Sequence, residues 1–240
     1  MSSFEELTVP SSSSSPSSSL SPEALHYASC YCEENCYKLI ERILSAPSSS
    51  INEIYCVFIS SPSCKTPLFS QRAAQTEDGF VLWDYHVVVL LIGKGSMKDS
   101  DDVFCNVVDL DTTIQPFPCP ASLYFNCTLR PEMRLKEEYQ RLYRVVSGQV
   151  YLDSFSSDRS HMKDSDASPP SWPCIIGSKA KTQNVIDSYR YINLQEVPSS
   201  EQISLFRGRK ENAIIQEREF GIVLQESDFL QWISSISERK

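Results

Sequence analysis

The spacing of apolar and polar positions changes several times along the chain, and each change predicts an element. From 32 to 45, Cys36, Leu39, Ile40, Ile43 and Leu44 recur at helical spacing. Pro47 and the serines after it stop that helix. Residues 54–60 (Ile-Tyr-Cys-Val-Phe-Ile-Ser) are short and rich in β-formers, which predicts a strand. A longer β-prone run follows at 80–92, then a polar loop with two glycines at 93–102 and a second strand at 103–110, giving a hairpin. The prolines of 115–120 are expected to end the sheet. Beyond them the pattern predicts a helix over 131–143, a short extended piece at 144–146 and a polar loop over 156–173. That loop is long enough to expect a functional role for it. A strand at 220–224 and a helix from Ser227, with Phe229, Leu230 and Ile233 inward, close the chain. No internal repeat is visible.

Residues 9–22 are nearly all Ser and Pro, too poor in apolar surface to offset the entropy of ordering. Residues 1–24 therefore read as a disordered leader and 25–240 as a single α+β domain. A chain of 240 residues with 41% apolar and 22% charged positions is ordinary for a globular protein. The net charge of −9, with no basic cluster against it, argues against a nucleic-acid partner. The longest apolar run, 87–92, is strand-sized, so no membrane span is expected. The N-terminus lacks the basic and apolar regions of a secretion signal. The expected location is the cytoplasm, with the nucleus also open. The nine cysteines then read as thiols, since their number is odd and no paired CxxC motifs occur. In that setting an unusually placed cysteine is a candidate nucleophile.

Cys32 opens the first helix and lies one turn before Cys36, on the face directed at the core. The helix dipole favours a thiolate there, while Glu33 and Glu34 in the first turn oppose it. Alone, Cys32 reads better as a small buried apolar residue. His86 is one of three histidines and interrupts the run Trp83-Asp84-Tyr85-His86-Val87-Val88. Inside a strand its ring nitrogens need polar partners, either backbone or a carboxylate. If 93–102 is the loop, Ile92 pairs with Val103 and His86 falls opposite Asp109. Directly opposed side chains are about 5 Å apart at Cβ, within reach of a carboxylate–imidazole bond. Asp111 and Asp84 are rivals for that role. A helix-start Cys, a strand His and a neighbouring-strand Asp, in that order, match the arrangement of papain-like and transglutaminase-like hydrolases. The Cys32 backbone N–H would join the oxyanion hole.

Several words carry a closer likeness. Ser29-Cys30-Tyr31-Cys32-Glu33-Glu34-Asn35, Trp83-Asp84-Tyr85-His86-Val87-Val88 and Asp109-Leu110-Asp111-Thr112 resemble the signatures of protein N-terminal glutamine amidohydrolases. Pro116-Phe117-Pro118-Cys119, the segment from Ser157 to Asp164 and Pro173-Cys174-Ile175 extend the resemblance in family order. It implies a monomeric α/β enzyme with a transglutaminase-like core and no cofactor. It would convert the N-terminal Gln of proteins and peptides to Glu with release of ammonia, feeding the N-degron pathway. The family triad falls on Cys32, His86 and Asp109. The leader and 179–218 fit the family pattern poorly.

Reading a free α-amine requires an acceptor. Glu33 and Asp84 are candidates, although either also suits a solvated or capping role. Asp158, Ser160 and His161 are candidates for the pocket wall, or else form a charged surface loop. One rival reading is metal binding by His26, Cys30, Cys32 and Cys36, whose spacing is not that of common zinc sites. Another is a peptidase or a cross-linking transglutaminase on the same core, and a third is a non-catalytic interaction module.

Overall fold

Pleating sends successive residues of a strand to opposite faces, and both faces of the central sheet here are covered. The computed structural model describes residues 20, 25–46, 50–95, 102–199, 202–203, 215 and 218–237. The middle of the sheet is β1 (Ile51–Ser60) against β4 (Tyr85–Lys94). On one side of this pair lie β5 (Val103–Val108) and β6 (Cys119–Pro120), and on the other β7 (Leu142–Ser147) and β10 (Ile222–Gln225). Every neighbouring pair of the six is antiparallel. Two small ribbons flank it: β2 (Thr66–Leu68) with β3 (Val81–Trp83), and β8 (Ser156–Ser157) with β9 (Ile175–Ile176).

Five α-helices among the described residues complete the layers. Helices α1 (Cys32–Ser45), α3 (Gly148–Ser154) and α4 (Ile186–Arg190) cover one face, where Leu39, Ile40, Tyr151, Phe155 and Tyr189 meet Cys56, Phe58, Val87 and Val89. Helices α2 (Ala121–Leu129) and α5 (Glu226–Ser237) cover the other, with Tyr124, Phe125, Phe229 and Trp232 against Val57, Val88, Leu90 and Tyr143. An antiparallel sheet buried on both sides explains why β4 reads as an unbroken apolar run. Each fully buried aliphatic side chain contributes about 1.5–3 kcal/mol, so Leu39 and Ile40 anchor α1 and its first residue, Cys32, to the sheet. Of the leader 1–24, only Leu20 is described, and it packs against the α1-side cluster. No helix among the described residues is long and apolar enough to cross a membrane.

The α+β class and the hairpin agree with expectation, but four details differ. The run at 80–92 is two strands, broken at Asp84, whose carbonyl accepts from the Ser60 and Thr66 hydroxyls. The helix expected over 131–143 is absent. The helix is α2, just before it, whose Tyr, Phe, Asn, Cys and Thr are weak helix formers. Arg130 ends α2 in the left-handed region (φ 47°), so Pro131 follows a helix end rather than opening a helix. The prolines of 115–120 do not end the sheet either: Pro120 lies on the edge strand β6, where its missing N–H costs no ladder bond. Finally, the hairpin pairs Ile92 with Cys105, not with Val103.

Candidate active site

Cys32 owes its position to a turn that sequence reasoning passed over. Cys30 adopts φ 67°, and the Asn35 side chain grips Ala28 twice, accepting from its N–H at 2.8 Å and donating to its carbonyl at 2.9 Å. This clamp folds 28–31 onto the first turn of α1. Tyr31 supplies no side-chain cap, and Cys32 is the first helical residue, so its own N–H lies outside the helix ladder. The Sγ atom donates to Glu33 Oε2 at 3.6 Å. Burial pushes the thiol well above its ordinary range, with the charges of Glu33, Asp111 and Asp84 adding to the shift, while the Val87 N–H works against it. These effects oppose the helix dipole and favour the neutral thiol.

His86 Nε2 meets Asp109 Oδ1 at 2.9 Å, with both side chains almost completely buried. The contact forms although the register differs from the expected one. Val89 pairs with Val108, and continuing that count puts Asp111, not Asp109, opposite His86. A shift of two residues leaves every side chain on its expected face, and diagonal neighbours remain within reach of long side chains. Asp109 is fully occupied. Its Oδ1 also accepts the Asp111 N–H at 2.9 Å, and its Oδ2 accepts the Tyr124 hydroxyl at 2.7 Å and Gln71 Nε2 at 3.3 Å. Burial alone would raise the Asp109 carboxyl, but the His86 charge and these bonds reverse that and hold it below its ordinary value. An ionised carboxylate only accepts, so Nε2 carries the hydrogen. Burial alone would lower His86, and the Asp109 charge and hydrogen bond more than offset it, so the imidazole is a stronger base than usual. Its Nδ1 is buried with no hydrogen-bond partner.

The same contacts close a ring. Gln71 Oε1 accepts from Trp83 Nε1 at 3.3 Å, and the Trp83 indole stacks on the His86 imidazole, centroids 5.4 Å apart and planes 18° from parallel. The loop that presents Gln71 is fixed by Gly79 at φ 71°, where a Cβ would lie 2.6 Å from Ser70 Cα. Backbone bonds from Gln71 N to Gly79 O and from Arg72 N to Asp111 O tie that loop to the Asp109–Asp111 turn.

The other expected residues separate into two groups. Glu33 is fully buried beside Cys32, with Oε2 also accepting from the Tyr85 hydroxyl at 3.1 Å. His161 comes to it from a distant loop, Nε2 lying 3.4 Å from Glu33 Oε1. The delivery depends on Arg159, which forks onto Glu34 at 2.9 and 2.8 Å and pins the 160–162 turn over the start of α1. Trp172 Nε1 adds a third donor to Glu34. Asp84, by contrast, is 58% exposed, caps the Tyr85 N–H and approaches Arg190. Asp158 and Ser160 bond each other and Asn184, and Asp158 is exposed.

Metal binding at His26, Cys30, Cys32 and Cys36 finds no support in the geometry, since Cys36 donates to the Val87 carbonyl and His26 packs edge-on against Trp172. His86, Asp109 and Asp111 do bring ligand atoms within 4.8 Å of one another. However, both Asp109 oxygens accept from N–H or O–H donors, and Asp111 Oδ1 accepts from Tyr27, an arrangement that would have to be dismantled for a cation. Gln71, Tyr124 and Asn35 were not foreseen. Gln71 and Tyr124 find their partners on other elements, while Asn35 bonds Ala28 only seven residues before it, in a turn that no local pattern marks.

The family model for N-terminal glutamine amidase matches residues 27–233. The chain belongs to that family. A protein N-terminal glutamine amidohydrolase of Bos taurus is 40% identical over 163 residues, 66% of this chain and 74% of the relative. One from Homo sapiens is 39% identical over 163 residues, 66% and 75% of the two chains. One from Oryza sativa subsp. indica is 36% identical over 193 residues, covering 77% and 80%. The span shared with the N-terminal glutamine amidase family contains Cys32, His86, Asp109, Glu33 and His161, together with the Gln71–Trp83 brace.

Proposed function

We propose that this chain hydrolyses the side-chain amide of an N-terminal glutamine on proteins and peptides, yielding glutamate and ammonia, with Cys32 as nucleophile, His86 as base and Asp109 as its orienting carboxylate. Membership of the N-terminal glutamine amidase family supports the reaction. One geometric observation carries the roles: Asp109 holds His86 by Nε2, leaving Nδ1 buried and unpartnered for proton transfer. On this reading Nδ1 takes the thiol proton as Sγ attacks the carboxamide carbon, and Asp109 stabilises the imidazolium. The Cys32 N–H supports the oxyanion. The proton passes from Nδ1–H to the leaving nitrogen, ammonia departs and a thioester remains on Cys32. Water then gives its proton to Nδ1 and attacks the thioester, releasing glutamate and restoring the thiol.

The fold counterpart of this proposal is a papain/transglutaminase-like core, with the nucleophile at a helix start against an antiparallel sheet. The proposal extends to a monomeric catalytic unit of residues 25–240 that acts in the cytoplasm or nucleus, without nucleic acid, membrane or cofactor, and whose product enters the N-degron pathway. The test separates it from a cross-linking enzyme or a peptidase. Ammonia release is measured from a peptide beginning with Gln and from one with Gln inside the chain, with a primary amine present and the products weighed. Release from the first peptide alone, with a one-unit mass gain and an intact chain, is expected. Amine incorporation at the internal Gln, or cleavage of the backbone, would contradict the proposal.

A further inference from the structure

We infer that Glu33 and His161 form the seat for the substrate's free α-ammonium group, an inference that rests on the reaction proposed above. Glu33 is fully buried, and its Oε1 has no hydrogen-bond partner. The His161 side chain is 3% exposed, and neither of its ring nitrogens has a hydrogen-bond partner. The two groups face each other at 3.4 Å without the geometry of a hydrogen bond. Polar atoms buried in this way cost free energy unless something satisfies them, so an unmatched carboxylate oxygen and imidazole side by side point to a ligand that supplies donors.

An ammonium group is the complementary ligand. It brings one positive charge and three N–H donors, which can reach Glu33 Oε1 and a ring nitrogen of His161. The Arg159 guanidinium, two residues before His161 in the chain, does not neutralise the seat, because Glu34 holds it through two bonds. Position agrees with chemistry. Only Cα, Cβ and Cγ separate the ammonium from the carboxamide carbon of a glutamine, so the seat must adjoin the nucleophile. Glu33 follows Cys32 in sequence, and its Oε2 is 3.6 Å from Sγ. Asp84 and Asp158 do not meet these conditions, since both are exposed and already bonded to cations or amides. The seat also accounts for restriction to a chain terminus: an acetylated or internal glutamine would set an uncharged amide, with a single N–H, against a buried carboxylate.

The experiment compares kcat/KM for a peptide beginning with Gln and for the same peptide with its α-amine replaced by hydrogen. It uses wild type, Glu33→Gln and His161→Leu, with thermal unfolding recorded for each. Wild type should favour the free amine by about 10- to 100-fold or more, the range of a charged hydrogen bond. Both variants should reduce that ratio, Glu33→Gln the more, and their turnover of the amine-free peptide should fall less than that of the free one. A purely structural role would slow both substrates equally and leave the ratio at the wild-type value, which would overturn the seat while leaving the reaction standing. Should Glu33→Gln fail to fold, His161→Leu decides by the same ratio. Ammonia release by wild type from neither peptide would overturn the reaction, and the seat with it.

Discussion

The two sides of the His86 imidazole are built differently. On the Nε2 side the polar groups match one another: Asp109 accepts from His86, Asp111, Tyr124 and Gln71, and Gln71 accepts in turn from Trp83. Nδ1 itself is buried without a partner, and so, beside Cys32, are Glu33 Oε1 and both His161 nitrogens. A satisfied network of this kind rigidifies, whereas unmatched groups store an interaction for something yet to arrive. On the proposed reaction, the first group would act as scaffold and the second as receptor for substrate.

That contrast yields graded predictions. Asp109→Asn strikes the scaffold where it meets the chemistry, and kcat should fall by about 10⁴, as when a triad carboxylate becomes an amide and the imidazole tautomer is wrong. The same variant should carry a pH signature. Asp109 is held low, so its stabilisation is present above about pH 4 and is lost as the pH falls through its folded value. His86 is held high, so its share is complete below about pH 6.5 and fades as the pH rises through its folded value. The stability gap to wild type in denaturant should thus be widest between these limits and narrower at both extremes. A gap independent of pH would remove the ion-pair account.

Tyr124→Phe and Glu33→Gln set the two halves against each other. Losing a buried hydroxyl donor to a carboxylate should cost about 1.5–3 kcal/mol of stability, whereas Glu33→Gln, where Oε1 has no partner and an amide oxygen can still accept from Tyr85, should cost less than about 1 kcal/mol. Equal losses in chemical denaturation would dissolve the distinction. The smallest effect belongs to the outer brace. Trp83→Phe keeps the stack but removes the donor to Gln71, and Gln71→Leu removes the same link from the other end. Each should lower kcat by about tenfold with little change in KM, and the double variant should be no worse than the poorer single one, because both act through one chain of contacts. Additive losses, or losses confined to KM, would show that the ring does not position His86.

Much of this site was legible in sequence, and the rest was hidden for identifiable reasons. Cys32, His86 and Asp109 stood out because a thiol at a helix start, a histidine in an apolar strand and a carboxylate on the next strand each break a local pattern. The hairpin pairing was off by two residues because loop length, not hydrophobicity, sets that count, yet alternation kept Asp109 on the His86 face. Trp83 could not be placed on His86 while 80–92 read as one strand, since residues three apart then point to opposite faces. The break at Asp84 is what turns the indole onto the imidazole. Nothing in the sequence sets Tyr124 apart from other aromatics, and its helix is built of weak helix formers. Gln71 sits in a polar loop where only tertiary contacts distinguish it from its neighbours. The meeting of Glu33 with His161 required a turn pinned by Arg159 and Glu34, a contact spanning most of the domain.

The central claim is that Cys32 attacks the carboxamide of an N-terminal glutamine. Its most direct test is ammonia release from a Gln-first peptide by wild type and Cys32→Ala at equal concentrations of folded protein. The account predicts steady release by wild type and a fall of about 10⁴- to 10⁶-fold in the variant. Release by Cys32→Ala at a rate comparable to wild type would contradict it.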